Sequence, residues 1–355
     1  YREFAGNLSL GLFTGRASLE DPIIKDKASF LVSARRTFVD PWIGAATRTI
    51  NENSGKQGQT NFYFYDINAK LNFSLGDHSK EHFSYYIGRD NYVSDVTSPT
   101  ENEMFLFTDR DQVNWETYNR LASVQMNSRL SRKLFVNTNI YRSEYSFESF
   151  DHDRLETFDK SSGNFKSASY NAGLHRSSIE DYGAILEFDW IPSEKMDFKF
   201  GGNYTYHIFN PSMLLTDQAD SIRPPEIPLT ASDLVLNIED ERITAREYTF
   251  FVSNTIKLGQ YTRLNLGYNH LIIDSPNRRY NIAQPRILFN TGSKDYSFKL
   301  SWGRNGQFLH SLVNTGLGVP VNVWLPSTDR IVPEESWVFS MGHFVKSRFL
   351  GQLGL

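Results

Sequence analysis

Apolar and polar residues alternate along most of this 355-residue chain, in runs separated by polar turns. A period of two is typical of a β-strand with one apolar and one polar face. The clearest run covers residues 63–75, where every second position is apolar: Tyr63, Tyr65, Ile67, Ala69, Leu71, Phe73 and Leu75. Repeated along the chain, the pattern predicts an all-β, antiparallel protein of about 14 strands.

The first strands indicate how the sheet is connected. Apolar residues alternate over residues 4–12, again over 17–19 after a turn at 14–15, and over 30–38 after a turn at 24–27. This predicts two consecutive hairpins. An antiparallel sheet with one polar face also occurs in soluble β-sandwiches, so these residues leave open whether the apolar face meets protein or lipid.

Short and long connections between the predicted strands alternate along the chain. The short ones are residues 25–27, 76–80, 131–133, 192–195, 259–260 and 292–295. The long ones are residues 40–60, 94–112, 151–178, 210–243 and 306–333, with a shorter one at 274–280. A soluble sandwich has no reason to place every long loop at one end. An outer-membrane barrel has short periplasmic turns and long extracellular loops, so the asymmetry predicts a transmembrane β-barrel.

Composition is compatible with a barrel and excludes several other classes. Mean hydropathy is only −0.45, and no apolar run approaches the roughly 18 residues that a transmembrane helix needs. In an alternating strand the apolar residues are averaged with the polar ones, so a barrel strand does not raise the mean hydropathy. Cysteine is absent, which excludes disulfides and thiolate metal sites. The net charge of −4, with both signs mixed throughout, gives no basic surface for nucleic acid.

Candidate catalytic or metal-binding groups are sparse. The Asp-His-Asp triplet at 151–153 and the acidic run at 239–241 could hold a cation, but we favour solvated loops for both. Glu187 and Asp189 share a polar face; they could be the acid and base of a hydrolase, or part of a hydrated barrel wall, which we favour. No nucleophile elbow or phosphate-binding loop accompanies them. We expect no enzymatic activity and no cofactor.

Residues 306–333 form the most distinctive connection. Four apolar residues in it have helical spacing: Phe308, Leu309, Leu312 and Val313. They predict two helical turns over 307–314, ended by Gly316 as a C-cap. The connection could contact a ligand, dock a lid protein, or pack over the mouth of a barrel. Its candidate ligand-contact residues are His310, Trp324 and Arg330.

Six blocks spread along the chain carry a family resemblance. They are GNLSLGL at 6–12, LEDPIIKDK at 19–27, SFLVSARRT at 29–37, YDINAKLNF at 65–73, YYIGRD at 85–90 and WLPSTDRIVP at 324–333. Together they resemble the barrel of TonB-dependent outer-membrane receptors of the Bacteroidetes type. The resemblance implies a barrel of about 22 strands, closed by an N-terminal plug.

The resemblance also implies function and partners. Such a receptor takes up a scarce nutrient at the cell surface with energy supplied by TonB. The implied partners are outer-membrane lipid, the TonB complex acting through an N-terminal region, a surface lipoprotein lid, and a small-molecule, glycan or peptide ligand. The implied location is the outer membrane of a Gram-negative cell.

This chain contains neither a plug nor a TonB box. We therefore expect residues 1–355 to be a partial outer-membrane β-barrel domain, with the plug and the C-terminal strands absent. Two alternatives remain at this point. One is a complete passive channel of about 14 strands, and the other is a soluble β-rich binding protein that buries its apolar faces against one another.

Overall fold

A computed structural model of the chain describes residues 3–220, 242–314, 321–347 and 351–354. One 15-stranded antiparallel sheet contains β1 to β13, β16 and β17 in chain order, and β14 pairs with β15 as a separate hairpin. The strands are β1 (Ala5–Leu10), β2 (Thr14–Ile24), β3 (Ala28–Thr37), β4 (Gln57–Leu75), β5 (Ser79–Glu101), β6 (Phe105–Arg129), β7 (Leu134–Asp159), β8 (Phe165–Ser193), β9 (Met196–Asp220), β10 (Ile243–Lys257), β11 (Arg263–Ser275), β12 (Arg278–Gly292), β13 (Tyr296–Gln307), β14 (Leu309–Asn314), β15 (Val321–Pro326), β16 (Glu334–Ser347) and β17 (Gly351–Gly354). The first two hairpins form as predicted, although the first turn lies at 11–13 and not at 14–15.

The sheet has one apolar and one polar face. Directly opposite residues on β3 to β10 form a continuous apolar row: Phe30, Leu71, Phe83, Val124, Ile140, Ala184, Tyr204 and Tyr248. We call this side the outer face. It is open to the surroundings, with Ile140 65% exposed. The other side, the inner face, carries the intervening residues, such as Lys70, Ser84 and Ser123. An exposed apolar surface of this extent is typical of the lipid-facing side of a membrane barrel.

Aromatic rings mark both edges of the apolar band. Near the short turns, Trp190 packs against Phe198 with ring centroids 5.3 Å apart. Toward the opposite end, Tyr204 packs against Tyr248 at 5.1 Å. On β4 the band runs from Tyr63 to Phe73, about 34 Å along the strand at roughly 3.4 Å per residue. With a tilt of about 45°, that is roughly 24 Å of height, close to the apolar band of outer-membrane barrels.

The central strands continue well beyond the membrane. β5 to β9 contain 23, 25, 26, 29 and 25 residues, whereas about 9–11 residues cross a bilayer. The predicted long loops at 94–112 and 151–178 are therefore mostly strand, joined by tight turns at 102–104 and 160–164. Of the predicted loop at 210–243, residues 210–220 belong to β9 and residues 221–241 lie outside the described ranges. The short turns lie together at the opposite end, as predicted.

A helix occupies part of the predicted connection at 40–60. It is α1 (Asp40–Asn53), with proline in its first turn. The helix covers the edge of β4 where β3 no longer accompanies it. The Thr60 N–H donates to Thr47 Oγ1 at 3.0 Å, and Asn51 Nδ2 donates to the Gly58 carbonyl at 3.0 Å. Side chains of the helix thus satisfy backbone groups of an otherwise open strand edge. In the described ranges, no helix combines the length and apolar character needed to cross a membrane.

Candidate functional site

Residues 308–314 and 321–328 form a unit that we call the inner hairpin. The predicted helix over 307–314 is wrong, because Gln307 ends β13 and residues 309–314 form β14. β14 pairs with β15 from Leu309 opposite Pro326 to Asn314 opposite Val321, which supplies the backbone hydrogen bonds. Four apolar residues within six positions suit a strand as well as a short helix. Gly316, the predicted C-cap, lies outside the described residues.

The inner hairpin crosses the inner face of the sheet. It leaves the sheet after β13 and returns to it at β16, yet β15 contacts β8 and β9. The Trp324 backbone N–H donates to Ser177 Oγ of β8 at 3.2 Å. Ser177 and Gly183 are six positions apart on β8, so they share one face. Gly183 lies next to Ala184 of the outer apolar row, so this shared face is the inner face. The segment therefore lies on the polar side of the sheet, away from lipid.

Phe308 is the apolar anchor of the inner hairpin. Its side chain is 5% exposed and belongs to a cluster with inner-face residues of β9 to β12: Phe209, Ala245, Leu271, Ile273 and Ile282. These residues interrupt an otherwise polar inner face. They give the hairpin an apolar surface to pack on, and burial of a phenylalanine of this kind stabilises by roughly 1.5–3 kcal/mol.

Hydrogen bonds hold the two ends of the hairpin together and to the wall. His310 Nε2 lies 2.9 Å from Ser327 Oγ. The Ser327 N–H donates to the Phe308 carbonyl at 2.7 Å, and Ser327 Oγ donates to the same oxygen at 3.1 Å. The wall contributes Ser275 Oγ, which donates to the Ser327 carbonyl, and the Tyr280 hydroxyl, which donates to the Thr328 carbonyl. The base of the hairpin is thus fixed from several directions.

The three predicted ligand-contact residues lie on or beside the inner hairpin. His310 is buried, with Nδ1 3.4 Å from Glu334 Oε1 in addition to its Ser327 contact. Trp324 is half-buried on β15, against β8. Arg330 is exposed in the turn that follows, where its N–H donates to Thr328 Oγ1 at 3.2 Å. Ligand contact by these residues stays a prediction, and Arg330 has the most accessible side chain of the three.

A charged cluster that the sequence did not single out lies beneath Phe308. His207 is buried, with Nδ1 2.7 Å from Asp181 Oδ1 and Nε2 3.5 Å from Glu247 Oε2. The three residues come from β8, β9 and β10. Alternation places each of them on the polar face, but only the sheet register brings Asp181 directly opposite His207. The cluster places an imidazole between two carboxylates at the point where the hairpin meets the wall.

Glu187 and Asp189 share the inner face, as predicted. Lys199 Nζ lies 2.8 Å from Glu187 Oε1 and 3.3 Å from Asp189 Oδ1, and Asn137 Nδ2 donates to Asp189 Oδ2 at 2.9 Å. One ammonium thus serves both carboxylates. This arrangement suits a hydrated wall better than an acid and base pair, which need separate environments to hold different protonation states.

The Asp-His-Asp triplet at 151–153 lies within β7, so the predicted loop is wrong there. Alternation puts Asp151 and Asp153 on the inner face and His152 on the outer face, so the three side chains do not converge on one ion. The acidic run at 239–241 lies outside the described residues. Among the residues that the structure describes, no group of His, Asp and Glu side chains is arranged to hold a metal ion.

Acidic residues accumulate on the inner face beyond the membrane. Asp151 lies 17 positions into β7, past the roughly 9–11 residues that cross a bilayer. Burial raises the pKa of the Asp151 carboxyl to about 6, and the nearby charge of Asp153 acts in the same direction. Burial and neighbouring carboxylates also raise the pKa of Asp111 and of Asp153. These three carboxyl groups therefore bind protons at a higher pH than ordinary carboxyl groups do.

No protein-family model matches the chain, and no curated protein matches it. Among solved structures, it is similar to the RagAB peptide transporter, with 10% identity and a TM-score of 0.54 over 94% of this chain and 42% of that one. It is also similar to a mutant of the ferric enterobactin receptor PfeA from Pseudomonas aeruginosa, with 15% identity and a TM-score of 0.55 over 98% of this chain and 52% of that one.

The chain thus spans about half the length of these solved structures, 42% and 52%. At such low identities the likeness shows the fold alone. Together with the single large antiparallel sheet and its exposed apolar band, it confirms the predicted fold class, a transmembrane antiparallel β-barrel of the outer-membrane kind. A soluble β-rich protein that packs its apolar faces together does not fit this arrangement.

Proposed function

We propose that this chain is the barrel portion of an outer-membrane receptor that takes up a scarce nutrient with energy supplied through TonB. The observation that carries the proposal is the inner hairpin, which lies across the inner face and is fastened to strands β8 to β12. A passive channel needs an open lumen. A segment held in the lumen by packing and hydrogen bonds suits a protein that opens only during transport.

The other parts of the proposal rest on the sequence resemblance and the shared fold. Proteins of this fold include a peptide transporter and a ferric enterobactin receptor. In the proposal, a plug domain and a TonB-contacting segment accompany the barrel, and a surface lipoprotein covers its mouth. The ligand is a small molecule, a glycan or a peptide. In the proposal, Arg330 and Trp324 make its first contacts, because Arg330 is exposed and Trp324 is only half-buried.

The inner hairpin would couple ligand arrival to opening. Its contacts with the wall include the Phe308 cluster, the bonds that Ser275 and Tyr280 donate to the Ser327 and Thr328 carbonyls, and the Trp324 bond to Ser177. A ligand that competes for Trp324 weakens the contact of β15 with β8, and one that binds Arg330 acts beside the base of the hairpin. In the proposal, the contacts at Ser327 and Phe308 hold the hairpin in place until energy supplied through TonB moves it together with the plug.

The test is nutrient uptake in cells that differ only in this protein and in TonB. Cells that carry the full-length protein, cells that lack it, and cells that lack TonB are given isotope-labelled peptides, ferric chelates and oligosaccharides. We expect at least one of these three classes of nutrient to accumulate in the cells only when both this protein and TonB are present. Accumulation that needs this protein but proceeds equally without TonB would instead establish a passive channel.

A further inference from the structure

We propose that the inner face of β6 and β7, beyond the membrane, binds a basic peptide in an extended conformation. Two features share this part of the wall. One is an acidic cluster, which we define as Asp109, Asp111, Asp151 and Asp153, and the other is a row of aromatic and buried polar residues beside it. The inference rests on the proposed function, because it names the substrate class of the proposed receptor.

The acidic cluster brings like charges together. Asp111 of β6 and Asp153 of β7 are directly opposite each other in the sheet, where Cβ atoms are about 4.5–5.5 Å apart and like charges destabilise the pair. Asp109 and Asp151 lie two positions along the same strands, one farther from the membrane and one nearer to it, on the same face. All members are exposed except Asp151, which is half-buried. The cluster is therefore accessible from the inner side of the sheet.

The neighbouring basic residues do not neutralise the cluster. Arg110 and Arg154 lie on the outer face, where each pairs with a carboxylate of that face. Among the residues that the structure describes, no lysine or arginine forms a salt bridge with a member of the cluster, although the charge of Lys56 lowers the pKa of Asp111. The same residues offer no group of His, Asp and Glu arranged to hold a metal ion. An organic cation therefore suits the cluster best.

The row beside the cluster lies nearer to the membrane on the same face. Its directly opposite members on β4 to β8 are Phe62, Tyr92, Trp115, Ser149 and His175. The rings of Tyr92 and Trp115 are stacked with centroids 5.5 Å apart, and the Phe62 centroid lies 6.1 Å from that of Trp115. All three rings are half-buried. They offer an apolar surface that suits an aromatic side chain of a ligand.

The other end of the row holds buried polar groups without partners. Ser149 is 0% exposed and His175 is 1% exposed, and Ser149 lies two positions from Asp151 on the same face. In the described part of the chain, neither Ser149 Oγ nor His175 Nε2 has a hydrogen-bond partner. Burial of unpaired polar groups is unfavourable, and a peptide carries both donors and acceptors that can pair with them. Burial also lowers the pKa of His175, so its ring adds no positive charge to the site.

The spacing of these groups favours a peptide over the other ligand classes. Residues two positions apart on a strand are separated by about 7 Å, which is also the separation of alternate side chains in an extended peptide. Asp109 and Asp111 have this separation, and Trp115 follows about 14 Å farther along β6. A peptide with basic residues at its first and third positions and an aromatic residue at its seventh matches all three. An uncharged glycan would leave the carboxylates without a counter-charge.

The test measures peptide binding to the purified full-length protein by fluorescence anisotropy. The probe is the labelled peptide Lys-Ala-Lys-Ala-Ala-Ala-Trp, and two comparison peptides carry acetyl-lysine or glutamate in place of lysine. We expect the lysine peptide to bind most tightly. Asp111→Asn/Asp153→Asn should weaken its binding roughly tenfold, because two ion pairs are lost.

The matched control is Glu116→Gln/Glu156→Gln. It removes two charges from the outer face of the same two strands, so it should bind the lysine peptide as the wild type does. Asp111→Asn/Asp153→Asn relieves a repulsion between like charges, so this variant should retain the heat-dependent gel shift of a folded barrel. Weaker binding can then be assigned to the lost charges.

A second variant tests the aromatic part of the site. Trp115→Leu should weaken binding of the tryptophan peptide roughly threefold, because a contact between two aromatic rings is lost. The same substitution should leave binding of a peptide that ends in alanine unchanged. An equal effect of Trp115→Leu on both peptides would contradict the placement of the peptide along β6.

Three results would overturn the proposal. They are equal affinity for the lysine, acetyl-lysine and glutamate peptides, unchanged affinity in the Asp111→Asn/Asp153→Asn variant, and binding of calcium ions alone without binding of the lysine peptide. The assay contains no TonB, so it is independent of the uptake experiment. TonB-dependent uptake without binding of the lysine peptide would refute only the substrate class, whereas peptide binding without TonB-dependent uptake would refute only the proposed function.

Discussion

The phenyl ring of Phe308 meets the imidazole of His207 edge-on, with ring centroids 5.3 Å apart. This contact joins a residue of the inner hairpin to a residue of the barrel wall. It also seats the apolar anchor of the hairpin directly over the charged cluster formed with Asp181 and Glu247. Removal of either ring loosens the hairpin at its base.

Phe308→Ala is therefore expected to open the lumen. The lost packing corresponds to about 3–5 kcal/mol for a buried phenylalanine. Single-channel recordings of the full-length protein in planar bilayers should show larger or more frequent openings than the wild type. Phe339→Ala is the matched control, because Phe339 is 68% exposed on the outer face. Equal conductance in the two variants would show that Phe308 does not hold the hairpin closed.

Neighbouring residues on β4 test the assignment of the two faces. Leu71 lies in the outer apolar row and Lys70 on the inner face. Leu71→Arg should destabilise the folded protein by about 2–4 kcal/mol if it lies near the midplane, whereas Lys70→Glu should cost far less. Urea unfolding in lipid vesicles measures both free energies.

Spin labels at single positions of β4 distinguish lipid from water directly. After reconstitution of the full-length protein, labels at positions 67, 69, 71 and 73 should collide more with dissolved oxygen, and labels at 68, 70 and 72 more with a water-soluble nickel reagent. Oxygen partitions into the bilayer and the nickel reagent does not. The same accessibility at odd and even positions would contradict the membrane barrel.

Asp151→Asn should stabilise the protein at neutral pH and not in acid. The folded pKa of Asp151 is about 6, above its ordinary value of 3.8. The folded state therefore binds more protons between these values, and its stability decreases as pH rises through about 4 to 6. Above pH 7 the variant should be more stable by about 1–2 kcal/mol, after allowance for solvent screening. Near pH 4 the two proteins should unfold at the same urea concentration; a constant difference would contradict the shifted pKa.

Epitope insertion tests orientation. A tag after Gly55, between α1 and β4, should be labelled on intact cells, because this connection is at the end with the extended strands. A tag after Gly259, in the turn between β10 and β11, should be labelled only after the outer membrane is permeabilised. Neither glycine has a heavy atom within 4 Å of an added Cβ, so both sites have room for an insertion. The reverse labelling pattern would invert the topology.

The membrane part of the fold was predictable because each strand there must present apolar residues to lipid at every second position. The run from Tyr63 to Leu75 shows this directly, and its predicted faces agree with the register of β4 against β3 and β5. Beyond the membrane that requirement disappears. Residues such as Asp109 and Arg110 are polar on both faces, so β6 continues there without an alternating pattern to reveal it.

Two other features could not be predicted, for different reasons. Helix α1 borders a strand edge, and bonds such as that from the Thr60 N–H to Thr47 Oγ1, which depend on tertiary position, hold it there. The cluster of His207, Asp181 and Glu247 depends on register across three strands. Alternation tells which face each residue occupies, and pairing between strands decides which residues meet.

The bond between the Trp324 N–H and Ser177 joins residues 147 positions apart in the chain. Contacts of such long sequence separation form late in folding, because the intervening chain must be ordered first. Here the intervening chain includes β9 to β13, which are themselves wall strands. Each newly made molecule is therefore expected to complete these wall strands before the hairpin docks on them.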